Sequence, residues 1–125
     1  MRFSQKKVTV TGAAGFIGRK LVEQLVAEGA QVTAVDLPGV KFPDWKGVEC
    51  VGSDLGDARE LQKLIGGRDL VFHLAFPVSD WEKEALFQAA LGHSEEICRI
   101  CTAEKIRLVI TTSVVVYADQ IGKRP

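Results

Sequence analysis

Three glycines at three-residue spacing, Gly12, Gly15 and Gly18, follow the β-branched run Val8-Thr9-Val10-Thr11 and open an amphipathic stretch. Residues of these types at this spacing can cradle a pyrophosphate. Gly12 lets the chain turn sharply out of a strand, Gly15 lets bare backbone approach the phosphates, and Gly18 lets the following helix pack closely. The start of that helix adds unpaired N–H groups and the positive end of its dipole. Asp36 stands 24 residues after Gly12, where a second strand should end. A carboxylate there accepts hydrogen bonds from a ribose diol and repels a 2′-phosphate. No arginine follows closely, so the pattern favours NAD over NADP. Gly-rich turns also serve flavin dinucleotides and S-adenosylmethionine, and those readings stay open at this point. A nucleoside-triphosphate loop does not, because Gly18-Arg19-Lys20-Leu21 lacks the lysine and hydroxyl positions such a site needs.

The elements that must carry these residues are legible from periodicity. Lys7 to Thr11 is expected to be a buried central strand, though two threonines make it more polar than most. Phe16 to Glu28 has helical spacing, with Phe16, Ile17, Leu21, Val22, Leu25 and Val26 on one stripe and Gly29 as a stop. Val32 to Val35 is a second strand ending at Asp36, and Leu37-Pro38-Gly39 must turn. Val48 to Val51 is a short third strand. Asp57 and Glu60 have capping-box spacing, which predicts a helix through Leu61, Leu64 and Ile65 to Gly66-Gly67. Asp69 to Leu74 is a fourth strand. Ser79 and Glu82 repeat the capping signature and open a helix to Glu104, with Leu86, Phe87, Ala90, Leu91, Ile97, Cys98 and Cys101 on one side and Gly92 weakening its middle. Arg107 to Thr112 is a fifth strand. Strands alternating with helices imply parallel pairing, so the expected class is α/β, a Rossmann-like doubly wound sheet of about five strands in the order 3-2-1-4-5.

Composition narrows the partners. The 125 residues fit one domain, and sixteen basic residues balance sixteen acidic ones. Basic residues cluster only as short pairs such as Lys123-Arg124, which leaves no electrostatic footprint for nucleic acid or an anionic membrane. Three cysteines do not make a disulfide framework, and no signal peptide or long apolar span is present, so a cytoplasmic setting is expected. Cys98 and Cys101 lie mid-helix without partner ligands and are expected to be core residues. His73 and His93 are too few for a metal cluster; His73 is expected near the cofactor at a strand end and His93 on a helix surface. No metal site is expected. Trp45 and Trp81 are expected to be packing residues.

Several separate stretches, in order, resemble the extended short-chain dehydrogenase/reductases, the NAD-dependent epimerase/dehydratase family. Thr11-Gly12-Ala13-Ala14-Gly15-Phe16-Ile17-Gly18 is similar to the family's phosphate-binding turn, which brings Phe16 and Ile17 in as cofactor-binding residues beside the glycines and Asp36. Asp54-Leu55 resembles the family's Asp-Leu after the third strand, which implies that Asp54 contacts adenine with Leu55 packed beside it. His73-Leu74-Ala75 resembles the stretch that runs along the cofactor, which implies roles for Leu74 and Ala75. Thr111-Thr112-Ser113-Val114-Val115-Val116-Tyr117-Ala118 resembles Thr-Ser-Ser-x-x-Val-Tyr-Gly, which makes Ser113 the catalytic serine.

Departures from the family pattern shape the functional expectation. Phe76-Pro77 follows Ala75 where a second alanine is common, and Ala89 to Glu95 retains only Gly92 of the family's Asn-Val-x-Gly-Thr-x-Asn. The family's Tyr-x-x-x-Lys pair is missing: the one tyrosine is Tyr117, and Ile121 stands four residues after it. That pair supplies a phenol with lowered pKa to move a proton during hydride transfer. Residues 1–125 are therefore expected to be the NAD-binding portion of an epimerase/dehydratase-type oxidoreductase, without the substrate-binding C-terminal part and inactive alone. The resemblance implies reversible hydride transfer at a hydroxyl carbon of a sugar nucleotide or similar small molecule in the full-length enzyme. A homo-oligomer is expected, through an unpaired fifth-strand edge and the helix that begins near Trp81. The competing class is a non-catalytic NAD(P)-binding module or redox-sensing regulator. A methyltransferase using S-adenosylmethionine explains the glycines but not the later stretches.

Overall fold

A computed structural model describes residues 2–75 and 84–111. Its elements are β1 (Lys7–Thr11), α1 (Phe16–Ala27), β2 (Gln31–Asp36), β3 (Glu49–Gly52), α2 (Ala58–Ile65), β4 (Leu70–His73), α3 (Glu84–Glu104) and β5 (Arg107–Ile110). The strands form one parallel sheet in the order β3-β2-β1-β4-β5, as expected from the alternation of patterns. The register sets Thr11 beside Val35 on one side and beside His73 on the other. The ends of β1, β2 and β4 are thereby brought level at one edge, where the Gly-rich turn leaves the sheet. Ser79, Trp81, Glu82 and Thr112 lie outside the described residues.

Alternation along the strands divides the core between two faces. Val8, Val10, Val32, Ala34 and Leu70 pack against Val22 and Leu25 of α1. Val35 and Val71 pack on the other face against Leu61, Leu64 and Ile65 of α2 and Ile97, Ile100 and Cys101 of α3. Each such aliphatic side chain contributes about 1.5–3 kcal/mol relative to exposure. The threonines that made β1 look too polar are fully buried and satisfied. Thr9 Oγ1 donates to the Leu64 carbonyl at 2.6 Å and accepts from Arg68 Nε at 2.9 Å. Arg68 also reaches Thr33 Oγ1 from its Nη2, so one half-buried guanidinium serves two neighbouring strands.

Three expected apolar stripes are shorter in the folded chain. In α1 only Gly18, Val22 and Leu25 are buried. Phe16 is 88% exposed and Ile17 61%, because the first turn of α1 projects past the strand ends where no sheet lies beneath it. Among the described side chains of α3 the first fully buried one is Ile97, while Leu91 and Cys98 are exposed. Cys98 is therefore not a core residue; Cys101, one turn on, is. The side chains of Leu86 and Phe87 lie outside the described set. On β5, Val109 and Ile110 remain exposed.

Local signals set the helix ends. Asp57 Oδ1 accepts from Arg59 N–H at 2.8 Å and from Glu60 N–H at 3.3 Å, which caps α2 and is worth about 1 kcal/mol. Glu104 at the end of α3 accepts from Gln62 Nε2 and from Gly67 N–H, tying α3 to the far end of α2. These bonds hold its carboxyl below the usual range. No described helix is long and apolar enough to cross a membrane.

At the end of β4, His73 is only 4% exposed. Burial, with His93 adding a smaller like-charge effect, pushes its imidazole down to about 4.

Two outcomes follow from this packing. A Cβ at Gly92 would meet nothing within 4 Å, so Gly92→Ala should raise stability by about 0.5–1 kcal/mol, read from a denaturant midpoint. An unfolded histidine titrates near ~6.5. His73 therefore contributes stability that is complete above that pH and is lost as pH falls through about 4. Over that window the parent should lose up to about 3 kcal/mol more than His73→Asn; parallel urea-midpoint profiles for the two proteins would contradict this.

Candidate functional site

The turn between β1 and α1 is built by close approach. Gly12 adopts φ +69°, a left-handed conformation, and a Cβ there would sit 2.9 Å from Ala75 N and from the Leu74 carbonyl carbon. A Cβ on Gly18 would overlap the Gly12 carbonyl oxygen and lie 2.8 Å from Ala13 Cα. The helix can touch the turn only because Gly18 lacks a side chain, and the turn can touch the Leu74–Ala75 backbone only because Gly12 does. Ala13 is fully buried beneath them, and its N–H donates to Val35 O at 3.0 Å. Gly15 differs. Its φ is −74°, and a Cβ would meet only the Gly12 carbonyl oxygen, at 3.3 Å. A side chain there needs only a shift of a few tenths of an ångström in that carbonyl, far less than at Gly12 or Gly18.

Gly15 is the N-cap of α1, and no side chain caps the first turn. No acidic residue lies in that turn either. The positive end of the helix dipole and its orphan N–H groups are thus uncompensated at the carboxyl edge of the sheet. Phe16 and Ile17 stand exposed beside it. Arg19 adds a cation, its Nη2 donating to Ala14 O at 3.1 Å. This combination of apolar side chains, bare amides and a guanidinium suits an anionic group attached to a planar, partly apolar body.

Asp36 closes the turn from the β2 side. Its Oδ2 accepts from Ala14 N–H at 2.9 Å and its Oδ1 from Leu37 N–H at 2.8 Å. It is half-buried. A carboxylate oxygen has two acceptor sites, so both oxygens keep capacity for a ribose hydroxyl. Asp36 consequently has a structural duty that spacing alone did not reveal: it fixes the Gly-rich turn. Beside it, Ser53 N–H donates to Asp36 O at 2.8 Å, joining the ends of β2 and β3.

Asp54 is exposed next to this junction, with Oδ1 accepting from Gly56 N–H at 2.9 Å. Leu55 adopts φ +63°, its N–H held by Ser53 Oγ at 3.0 Å, and its side chain is buried in the cluster with Leu61 and Ile65. The left-handed backbone costs about 1–2 kcal/mol for a residue with a Cβ. Burial of the leucine side chain offsets it. Asp54 and Leu55 are therefore divided between surface and core.

The β4 side of the cleft is held by Thr11. Its hydroxyl accepts from Leu74 N–H and Ala75 N–H, both at 3.1 Å, and lies 2.7 Å from His73 Nδ1. Gly12, Gly15, Phe16, Ile17, Gly18, Asp36, Asp54, Leu74 and Ala75 thus gather around one edge, with Leu55 beneath. Ser113, Phe76, Pro77 and Tyr117 lie outside the described residues. Thr11, Arg19, Ser53 and Ser94 were not singled out as site residues in the sequence. Thr11 and Arg19 flank the glycine spacing and were findable by position; Ser53 and Ser94 matter only through contacts made in the folded chain. Among the described residues no group of three or more potential metal-ligating side chains comes together.

The site has recognisable relatives. The chain is 30% identical over 105 residues to 2-alkyl-3-oxoalkanoate reductase from Shewanella oneidensis, covering 83% of this chain and 27% of that protein. It superposes on a short-chain dehydrogenase/reductase superfamily protein from Agrobacterium tumefaciens with bound NAD (TM-score 0.73, 28% identity, 89% of this chain and 34% of that one). It also superposes on MoeE5 in complex with UDP-glucuronic acid and NAD (TM-score 0.75, 31% identity, 89% and 38%). The chain therefore spans about a third of the length of these relatives. Residues 8–125 match the family described as NAD dependent epimerase/dehydratase, and it is to this family that the chain belongs.

Proposed function

We propose that this chain is the NAD-binding domain of an epimerase/dehydratase-type oxidoreductase. The observation that carries the reading is the uncapped start of α1, packed against a side-chain-free turn and bracketed by Asp36. The pyrophosphate would rest on the Gly15–Gly18 backbone, where the dipole end and bare N–H groups favour negative charge. Asp36 would take the adenosine ribose hydroxyls, Asp54 the adenine, and Leu74 and Ala75 the opposite wall. Phe16 and Ile17 would lie along the apolar body of the cofactor. Bound nicotinamide supplies the hydride acceptor or donor.

The whole protein's reaction would be reversible hydride transfer at a hydroxyl carbon, with Ser113 hydrogen-bonding the substrate oxygen. The complex of MoeE5 with UDP-glucuronic acid supports a sugar nucleotide as substrate. The similarity to a 2-alkyl-3-oxoalkanoate reductase supports the same chemistry on a different carbonyl compound. Both fit a hydroxyl–carbonyl interconversion. The proposed protein works in the cytoplasm as a homo-oligomer, its partners small molecules.

NADH titration followed by fluorescence tests the reading at two positions. Asp36→Ala should weaken NADH at least about tenfold and erase the preference over NADPH, since a ribose hydrogen bond to a charged acceptor is worth about 1.5–3 kcal/mol. The NADH/NADPH ratio is the discriminating readout, because loss of the Ala14 bond alone would weaken both cofactors equally. Unchanged NADH affinity, or tighter NADPH binding by the parent, would overturn the assignment. Gly15→Ala should leave stability within about 1 kcal/mol of the parent while lowering NADH affinity at least tenfold, because the added methyl meets the protein only at the Gly12 carbonyl oxygen, 3.3 Å away, and otherwise occupies the cofactor side of the turn.

A further inference from the structure

A buried hydrogen-bond chain runs from the cofactor edge to α3, and its direction follows from counting donors. The Thr11 hydroxyl has one proton and two lone pairs. One lone pair is taken by Ala75 N–H and the other by Leu74 N–H, which is shared with the Thr11 main-chain carbonyl at 3.2 Å. Its proton must therefore go to His73 Nδ1, 2.7 Å away. Nδ1 is then the bare nitrogen, and Nε2 carries the proton that is donated to Ser94 Oγ at 3.0 Å. The imidazole stays neutral in its buried setting, and a protonated ring, with hydrogen on both nitrogens, could not accept from Thr11.

This chain links the paired strands β1 and β4 to α3, which packs against β4 through apolar side chains. Ser94 lies on α3, His73 ends β4, and Thr11 ends β1 immediately before Gly12. The Leu74–Ala75 backbone that Thr11 holds is the same backbone against which Gly12 has no room for a Cβ. A tilt of His73 would release Thr11 to turn its proton elsewhere, and the Ala75 N–H on its lone pair would shift with it, while Leu74 N–H keeps its bond to the Thr11 carbonyl. The spacing between the Gly-rich turn and the β4 wall is thus set partly from α3.

We propose that His73 and Ser94 are positioning residues for the nucleotide cleft: acting through Thr11, they hold the Leu74–Ala75 backbone at the distance from Gly12 that admits the cofactor. This rests on the NAD-binding reading above, and the role of Ser94 goes beyond anything the glycine turn implies. Neither side chain needs to touch the ligand. Ser94 fixes the ring through Nε2, the ring fixes the proton of Thr11, and Thr11 fixes the wall.

The test compares the parent with Ser94→Ala, Ser94→Thr and Ile97→Val. Ile97 is fully buried on the same helix, so Ile97→Val perturbs α3 without touching the chain. Ser94→Ala should weaken NADH about fivefold, the equivalent of one ordinary hydrogen bond. Ser94→Thr should restore affinity to within twofold of the parent, and Ile97→Val should leave it unchanged at a comparable loss of melting temperature. If Ser94→Ala and Ile97→Val shift NADH affinity equally, Ser94 is only a packing residue and the proposal fails. Imidazole nitrogen NMR gives an arm independent of cofactor: His73 should appear as the Nε2–H tautomer in the parent and lose that fixed state in Ser94→Ala. Ala75 amide exchange should accelerate in the same variant. A parent that shows the tautomer and the exchange response but binds no NADH overturns the cofactor reading while leaving the chain's geometry supported. An Nδ1–H tautomer in the parent overturns the chain itself.

Discussion

No atom can be placed between Gly18 and the carbonyl of Gly12, and the arrangement at the carboxyl edge of the sheet depends on that contact. It brings the first turn of α1 directly onto the chain reversal after β1, with Ala13 sealed underneath. The helix consequently begins at the strand ends, with its uncapped amides facing outward. A side chain at Gly18 would push the helix away and move the dipole end out of register with Asp36. The same crowding acts on the other side of Gly12, where the Leu74–Ala75 backbone closes in. The cleft is a product of backbone packing before any polar side chain acts.

Polar groups then lock what the glycines permit. Asp36 spans the turn through Ala14 and Leu37, and Ser53 ties β3 to the Asp36 carbonyl. Thr11 serves the β4 side with all its hydrogen-bonding capacity used. A buried hydroxyl that accepts twice and donates once carries no desolvation penalty, and it rigidifies every group it touches. Thr9 does the same one layer deeper, between Leu64 and Arg68. Two threonines in a central parallel strand are therefore fasteners between strands and helices. An all-valine strand would bury well but leave Leu74, Ala75 and Arg68 without these partners.

Apolar exposure is distributed with the same logic. Phe16 and Ile17 fit the helical stripe by period, yet the sheet ends before it reaches them. They therefore stand over the cleft, where a ligand with an apolar body can cover them. They are exposed at the mouth of the turn, whereas Val22 and Leu25, further along the helix, are core. Among the described side chains of α3, Ile97, Ile100 and Cys101 pack against Val71 of β4 and the apolar face of α2.

Local pattern alone determined the class of this protein and much of its site. β-Branched runs, helical stripes and turn residues act over a few positions, so the parallel five-stranded sheet, its order and the Gly12–Asp36 constellation were legible without coordinates. The same is true of the family, because its motifs are short and ordered along the chain. Tertiary structure decided what each residue does inside that frame. Whether Cys98 or Cys101 is buried depends on which degrees of α3 face the sheet, and a three-residue spacing does not fix that angle. That Asp36 braces Ala14, that Leu55 drops into the core through a left-handed backbone, and that His73 links Thr11 to Ser94 all arise from contacts between segments far apart in the chain. The reason is physical: propensity and periodicity are near-neighbour properties, whereas the partner of a buried polar atom is chosen by the packing of the whole domain.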